Sequence, residues 1–314
     1  MGSQRSAVSG QQSILVVILG PTASGKTDLA IKVAKWLDTE IISADSRQFY
    51  REISIGTAKP SAEQLVAVKH HFIGHISITE NYNISRFEKD AIRLLEKLFE
   101  TNRVLVMTGG SGLYIDAVCN GIDEQPEHDP AIRHLLKEEY KAKGIKYLQK
   151  ELLSLDPTYY REVDLSNPNR LMRALEVCKM TGNPYSSYRK GHRQQRAFRT
   201  VKFGILVSRE LLAERINRRV DEMMATGLVE EAKANYSFRN LNALNTVGYK
   251  EIFEYLDGNC SLEEAVEKIR INTRRYAKRQ MTWFRKDPGI IWIDQEKEQE
   301  LKGIIYNSIK PITI

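Results

Sequence analysis

The sequence predicts an α/β fold: a parallel sheet core flanked by helices, organised around a phosphate-binding loop and interrupted by an all-helical insertion domain. Three observations predict it. Strand and helix patterns alternate over the first 120 residues, the signature of a parallel sheet covered on both faces. The run Gly20-Pro21-Thr22-Ala23-Ser24-Gly25-Lys26-Thr27 fits G-x-x-x-x-G-K-[ST] and sits between an apolar strand and a helical pattern. From about residue 121 to 199 the texture is helical only, and a strand pattern then returns.

Taken in order, Ile14 to Leu19 is an unbroken apolar run, as expected of a strand buried on both faces. The Gly20–Thr27 loop follows; a phosphate loop of this kind, as in P-loop NTPase-like folds, turns backbone N–H groups and a helix N-terminus toward phosphates. Lys26 adds a point charge, and the Thr27 hydroxyl can hold Mg²⁺. Leu29, Ile31, Val33, Ala34 and Leu37 give the next helix its apolar face. A short strand, Glu40 to Ser43, ends near Asp45, and an apolar patch runs from His71 to Ile76. Ser85 with Glu88 reads as a capping box opening a helix through Phe87, Ala91, Leu94, Leu95 and Leu98. The strand Val104 to Met107 then leads into Thr108-Gly109-Gly110-Ser111-Gly112.

In the helical block, Asp129-Pro130 caps one helix through Ile132, Leu135 and Leu136, and another, Arg170 to Met180, stops at Gly182. Val201 to Val207 returns the chain to the sheet. Ser261 with Glu264 opens a long helix, and Ile290 to Ile293 is a last strand. The expected division is a disordered lead-in over 1–12, a first core part over 13–120, a helical insertion over 121–199, and a return to the core with C-terminal helices over 200–314.

Composition narrows the class. At 314 residues with 42% hydrophobic content the chain can bury a sizeable core, and no apolar run is long enough to span a bilayer. Met1 to Gly10 is small and polar, without the apolar stretch of a signal peptide. Cys119, Cys178 and Cys260 are far apart and form no CxxC pair, which argues against a disulfide or zinc scaffold and suits a reducing cytoplasm. The net charge of +7 is concentrated in two tracts. Arg189, Lys190, Arg193, Arg196 and Arg199, with His192, form the first; eight cations between Lys268 and Lys286 form the second. Either alone reads equally as a solvated face. Together, interleaved with Tyr185, Tyr188, Phe198, Tyr276, Trp283 and Phe284, they read as a track for a polyanion such as RNA.

A hydrolytic P-loop enzyme needs an acid at the end of a second strand to organise metal and water. The candidate strand ends instead in Gly109-Gly110, either a simple turn or a second close approach of backbone to a ligand. The available acid is Asp45, either a turn residue or a catalytic carboxylate at the ligand edge of the sheet.

Gly20 to Thr27, Asp45-Ser46-Arg47-Gln48, Ile55 to Pro60, and Gly109 to Tyr114 together resemble the bacterial tRNA dimethylallyltransferases of the IPP transferase family. The likeness continues through Asn169 to Glu176, Gly227-Leu228, Val247-Gly248-Tyr249 and Lys278 to Arg285, and spans roughly residues 13–295. Ser111 departs from the family's usual Thr but keeps the hydroxyl. The zinc-finger extension of eukaryotic relatives is absent.

The resemblance implies transfer of a dimethylallyl group from dimethylallyl diphosphate to N6 of the adenosine 3′ to the anticodon, with Mg²⁺ as cofactor and a monomeric enzyme. In that reading Asp45 is the base for the adenine amine. Lys26, Thr27 with Mg²⁺, and Arg219 stabilise the diphosphate, while Gly109 and Gly110 approach the phosphates. Asp45, Ser46, Arg47 and Gln48 meet the base from one side of a channel, with Ser111 and Arg133 also on the RNA. Asn169, Arg170, Leu171, Met172 and Arg173 hold RNA from the insertion. Gly248, Tyr249, Lys278, Arg279, Gln280, Thr282, Trp283 and Arg285 complete the RNA side, Trp283 reading equally well as a core tryptophan.

Three competing readings use the same loop. A small-molecule kinase has no use for basic helices. An RNA-binding NTPase leaves the missing hydrolytic acid unexplained. A free-nucleotide isopentenyltransferase does not call for the insertion and the two basic tracts.

Overall fold

The structure of the protein, a computed structural model, describes residues 12–123, 125–191, 194–294 and 298–310. In chain order the elements are β1 (Ser13–Leu19), α1 (Lys26–Leu37), β2 (Ile41–Ser43), α2 (Ala62–Ala67), β3 (His70–His71), α3 (Ile84–Leu98), β4 (Val104–Gly109) and α4 (Gly112–Asn120). Four helices follow: α5 (Pro130–Lys143), α6 (Ile145–Leu155), α7 (Pro157–Glu162) and α8 (Pro168–Thr181). The chain continues with β5 (Phe198–Ile205), α9 (Arg209–Ala225), α10 (Leu228–Ala234), α11 (Tyr249–Leu256), α12 (Leu262–Phe284), β6 (Ile290–Ile293) and α13 (Glu298–Ser308). Two compact units result: Asn120–Gln194, and the segments on either side of it.

In the larger unit six parallel strands lie in the order β3-β2-β4-β1-β5-β6. β1 is central, and its apolar run divides by the two-residue period of a strand. Ile14, Val16 and Ile18 pack with Leu29, Val33 and Ala34 of α1 and with Leu301 and Ile305 of α13. Leu15, Val17 and Leu19 face the opposite layer, built from residues such as Phe87, Leu95, Ile115, Ile252, Ala265 and Ile269. No helix among the described residues is long and apolar enough to cross a membrane.

The smaller unit is helical among its described residues and has its own core, in which Leu136, Leu148 and Leu152 pack against Leu171, Leu175 and Cys178. Asp129 caps α5 through Ala131 N and Ile132 N, and Gly182 closes α8 in the left-handed conformation.

Several elements differ from expectation. α3 is capped by Asn83, whose side chain accepts from Arg86 N, and Ser85 lies inside the helix. Glu88, read from sequence as the partner in a capping box, is buried and pairs with Arg196 at 2.5 Å. The apolar patch His71 to Ile76 forms only the short β3 and an isolated bridge between Tyr50 and Ile76. β5 begins at Phe198, earlier than Val201, because it runs alongside the whole of β1 from Ser13. The capping box at Ser261 and Glu264 is present as read. The lead-in expected over 1–12 falls outside the described residues except for Gln12, as do His192 and Arg193 of the first basic tract.

Candidate active site

The phosphate loop leaves the carboxyl end of β1. Ala23 has φ 62° and Gly25 φ 86°, so the chain turns sharply enough to start α1 at Lys26. Gly25 caps α1 without a side-chain bond, leaving the first turn open at its amide end.

α9 lies against this loop. Arg219 donates from Nη1 to Thr22 Oγ1 at 3.1 Å, and Arg215 donates to the Ser24 carbonyl at 3.3 Å. Their four-residue spacing puts both on one helix face, whereas Arg218 turns outward beside Glu222 at 3.9 Å. Desolvation lowers the Lys26 ammonium from 10.5 to about 8, with Asp45 opposing the shift and Arg219 reinforcing it. Burial also lowers the Arg219 guanidinium from its ordinary value, and Glu222, Asp45 and Asp28 act against that.

Asp45 follows β2, and its Oδ1 accepts from Arg47 N at 3.2 Å. Gly109, at the end of β4, is pressed against the Ala44 carbonyl, and only a glycine fits that approach. The next residue, Gly110, faces the Gln280 side chain. Gln280 Nε2 donates to Gly110 O at 2.8 Å, and its Oε1 accepts from Thr22 N at 2.8 Å. Ser46 and Ser111 are joined at 3.2 Å through their hydroxyls, and Ser111 Oγ also accepts from Ser46 N. The P-loop, the Asp45 turn and the glycine turn thus converge at one edge of the sheet.

Two cavities open here. One, of about 530 Å³, is lined by Lys26, Thr27, Asp28, Gln48, Lys59 and Thr226 among others. The second, of about 550 Å³, is lined by Ser46, Arg47, Val220, Val247, Ile269 and Tyr276 among others. Thr22, Asp45, Thr57, Ala58, Arg219 and Met223 line both, so Asp45 and Arg219 stand where the two meet. Desolvation first, then the charge of Asp45, pushes the Tyr276 phenol up to about 12.

The remaining predicted residues divide by exposure. Lys278, Arg279, Thr282, Trp283 and Arg285 are exposed on α12 or just beyond it. Trp283 is 38% exposed and donates from Nε1 to Asp116 at 3.0 Å, so it is a surface tryptophan. Gln280 is buried and its amide is engaged by the two loops. Tyr249 is fully buried, with its hydroxyl on Glu231, so its side chain reaches no RNA surface. Arg47 is held by the carbonyls of Asn242, Ala243 and Asn245. Gln48 Nε2 donates to Thr57 O and Ala58 O.

In the smaller unit Asn169 and Arg170 are exposed, while Leu171 and Met172 belong to the core. Arg133 and Arg173 gather on the fully buried Glu176, at 3.6 and 3.3 Å, together with His128. Sequence reasoning missed this carboxylate, although the spacing from Arg173 to Glu176 on one helix face marks the pair.

The first basic tract is divided: among its described residues Arg189 and Lys190 are exposed, while Arg196 and Arg199 turn inward. Arg196 donates to Glu88 and to the carbonyls of Ala117 and Val118, and Arg199 to the carbonyls of Ser308 and Lys310. Arg189 pairs with Glu162.

Sheet order, phosphate loop and facing acid define a P-loop α/β protein whose second strand end carries glycines in place of a hydrolytic acid. Residues 48–287 match the IPP transferase family. The chain is 52% identical over 286 residues to the tRNA dimethylallyltransferase of Christiangramia forsetii, covering 91% of this chain and 95% of that one. It is 48% identical to tRNA dimethylallyltransferase 1 of Bacteroides fragilis, with 94% and 98% covered. The solved tRNA isopentenylpyrophosphate transferase of Bacillus halodurans superimposes with TM-score 0.70 at 37% identity, over 95% of this chain and 97% of that one. A eukaryotic dimethylallyltransferase shares the fold at TM-score 0.78 and 24% identity, over 96% and 81%. The chain belongs to the IPP transferase family.

Proposed function

We infer that the protein transfers a dimethylallyl group from dimethylallyl diphosphate to N6 of the adenosine 3′-adjacent to the anticodon in tRNA, releasing diphosphate. The observation that carries this reading is the pair of cavities that share Asp45, Thr22 and Arg219 as walls. A donor diphosphate fits against Lys26, Thr27 and Arg219, and a flipped-out adenine fits the other cavity, its exocyclic nitrogen approaching Asp45. The bond from N6 to C1 of the dimethylallyl group forms as the C1–O bond breaks. The diphosphate oxygen keeps the electron pair, and the N6 proton passes to the Asp45 carboxylate. Arg219 and Lys26 are aimed at the charge that builds on the leaving group, where preorganised donors count most. No water-positioning acid is needed, consistent with Gly109 and Gly110 at the end of β4.

Thr27 and Asp45 line the donor cavity together with Asp28 and offer the hard oxygen donors that Mg²⁺ prefers. Thr27 and the diphosphate oxygens would hold the ion, which supplies further neutralisation of the leaving group. Lys278, Arg279, Thr282, Trp283 and Arg285 would hold the anticodon stem-loop, and Arg133, Arg170 and Arg173 of the insertion, 121–199, would add phosphate contacts. A reducing cytoplasm and a monomer complete the reading.

The test is a transfer assay with Mg²⁺, radiolabelled dimethylallyl diphosphate and unmodified tRNA, with ATP hydrolysis followed in parallel. Label in tRNA without ATP loss is expected. Label on AMP but not on tRNA makes it a free-nucleotide enzyme, and ATP loss without label makes it a kinase or NTPase.

A further inference from the structure

The loop Ser54–Lys59 supplies part of the wall the two cavities share, through Thr57 and Ala58. It closes on itself through Ala58 N to Ile55 O and Lys59 N to Ser54 O, and it is held from outside as well. Ala58 has φ 48°, a left-handed conformation that costs a non-glycine residue on the order of 1 kcal/mol or more and persists only where the surroundings impose it. Just before Ala58 the loop is held by one carboxylate from α10. Glu231 Oε2 accepts from Ser54 N at 2.7 Å, and both its oxygens accept from Ile55 N at 3.0 Å. Its Oε1 also takes Gly56 N at 3.0 Å and the Tyr249 hydroxyl. Three consecutive backbone amides on one carboxylate form a charge-assisted cradle, stronger than the same number of neutral bonds.

Tyr249 completes the clamp. A Cβ on Gly56 would lie 2.6 Å from the Tyr249 ring, so the loop backbone rests directly on that fully buried side chain. On the far side of the loop, Gln48 Nε2 holds the carbonyls of Thr57 and Ala58, and Lys59 Nζ reaches Tyr50 O and Ser54 Oγ. Glu231 itself lines neither cavity.

We propose that Glu231, braced by Tyr249, is a positioning residue that sets the Thr57–Ala58 wall against Asp45 and Arg219, and so the alignment of the prenyl donor where the cavities meet. The inference rests on the prenyl-transfer reading. A displacement of about 1 Å at such a wall is enough to cost on the order of a hundredfold in rate. The proposal also reassigns Tyr249 from RNA contact to support of the donor wall.

The experiment compares Glu231→Gln, Tyr249→Phe and the double variant with the unaltered protein. The readouts are thermal midpoint, kcat and KM for dimethylallyl diphosphate per folded molecule, and tRNA affinity. Glu231→Gln keeps the shape of the side chain but turns an N–H toward amides that need an acceptor. Expected are a tenfold or greater fall in kcat/KM for the donor, tRNA affinity within twofold, and a double variant no worse than about the larger single effect. Unchanged kcat and KM with only a lowered thermal midpoint would overturn the proposal, leaving Glu231 a fold-holding residue. Loss of tRNA affinity with donor kinetics intact in Tyr249→Phe would overturn it in favour of an RNA contact. Failure of the unaltered protein to transfer label at all would instead strike the prenyl-transfer reading.

Discussion

The side-chain oxygen of Gln280 accepts the backbone N–H of Thr22 across a sequence separation of 258 residues, while its amide nitrogen donates to Gly110 O. One buried amide therefore ties α12 to the phosphate loop and to the glycine turn at once. It also means that the Thr22 N–H is directed to α12 and not to a phosphate. Gln280→Met removes both bonds at similar volume and leaves the part-buried Thr22 N–H and the buried Gly110 carbonyl without partners, each costing about 1–3 kcal/mol. The expected result is a stability loss of roughly 2–6 kcal/mol at unchanged m-value in urea unfolding, with reduced turnover. If tRNA affinity falls tenfold while stability holds, Gln280 contacts RNA.

Asp45 lines both cavities and faces Lys26 and Arg219. Asp45→Asn keeps its shape and removes its basicity. Transfer should fall by at least a thousandfold, within reach of general-base and electrostatic losses combined, while tRNA affinity stays within about threefold by filter binding. Intact single-turnover chemistry on bound RNA would remove Asp45 from the base role.

Burial lowers the Lys26 ammonium to about 8. The sign follows from its depressed value: between about 8 and 10.5 the unfolded chain binds more protons at this site than the folded one. This site's contribution to stability therefore rises with pH across that window, and its destabilisation is full below pH 8. A bound diphosphate needs the ammonium form, so donor affinity should weaken as pH rises from 7 to 9. Calorimetric titration with dimethylallyl diphosphate at both pH values checks this, and Lys26→Met should flatten the dependence.

Arg219 reaches Thr22 while its neighbour Arg218 pairs with Glu222 at the surface. Arg219→Lys should therefore lower kcat tenfold or more, because an ammonium cannot reproduce the guanidinium fork. Arg218→Lys should change it by less than twofold. Equal effects from the two would mean that the donor does not distinguish the loop-facing side of α9 from its outer side.

Lys278, Arg279 and Arg285 are exposed, and among the described residues none has a carboxylate at ion-pair distance. By contrast, Lys268, Arg270 and Arg274 at the other end of α12 are paired with Glu254, Asp221 and Glu267. Replacing each of the three free cations with Ala should reduce the slope of log affinity for tRNA against log salt by about 1. Replacing Lys268 should leave that slope unchanged.

The central sheet was legible because its signals are local. The run Ile14 to Leu19 had to be a strand buried on both sides, and a Gly-x-x-x-x-Gly-Lys-Thr loop between strand and helix has few other uses. Directions of side chains were less legible. A motif assigned Leu171, Met172 and Tyr249 to RNA, yet helical periodicity alone turns Leu171, Met172 and Leu175 inward while Arg170 stays exposed. Ser85 and Glu88 imitate a capping box, but Asn83 two residues earlier accepts from Arg86 N, and a guanidinium 108 residues away claims Glu88. Glu231 gave no signal, because a polar residue on a helix reads as solvated until its long-range partner is known. Gln280 was assigned to RNA by the resemblance although its amide is engaged by two loops, and Glu176 was marked only by its spacing from Arg173.

The central place of β1 has a consequence for the order in which the protein can be assembled. β1 leaves the ribosome first, but its two neighbours are β4, near residue 104, and β5, near residue 198. The Gln280 clip on the phosphate loop is later still. At about 5–20 residues per second of synthesis, the loop waits on the order of tens of seconds for its last partner. Neither edge of β1 can be satisfied in sequence order, so a nascent chain arrested before α12 would carry the signature loop without the clip that ties it to α12. The phosphate loop, made first, is thus completed only when α12 has been made, 258 residues later.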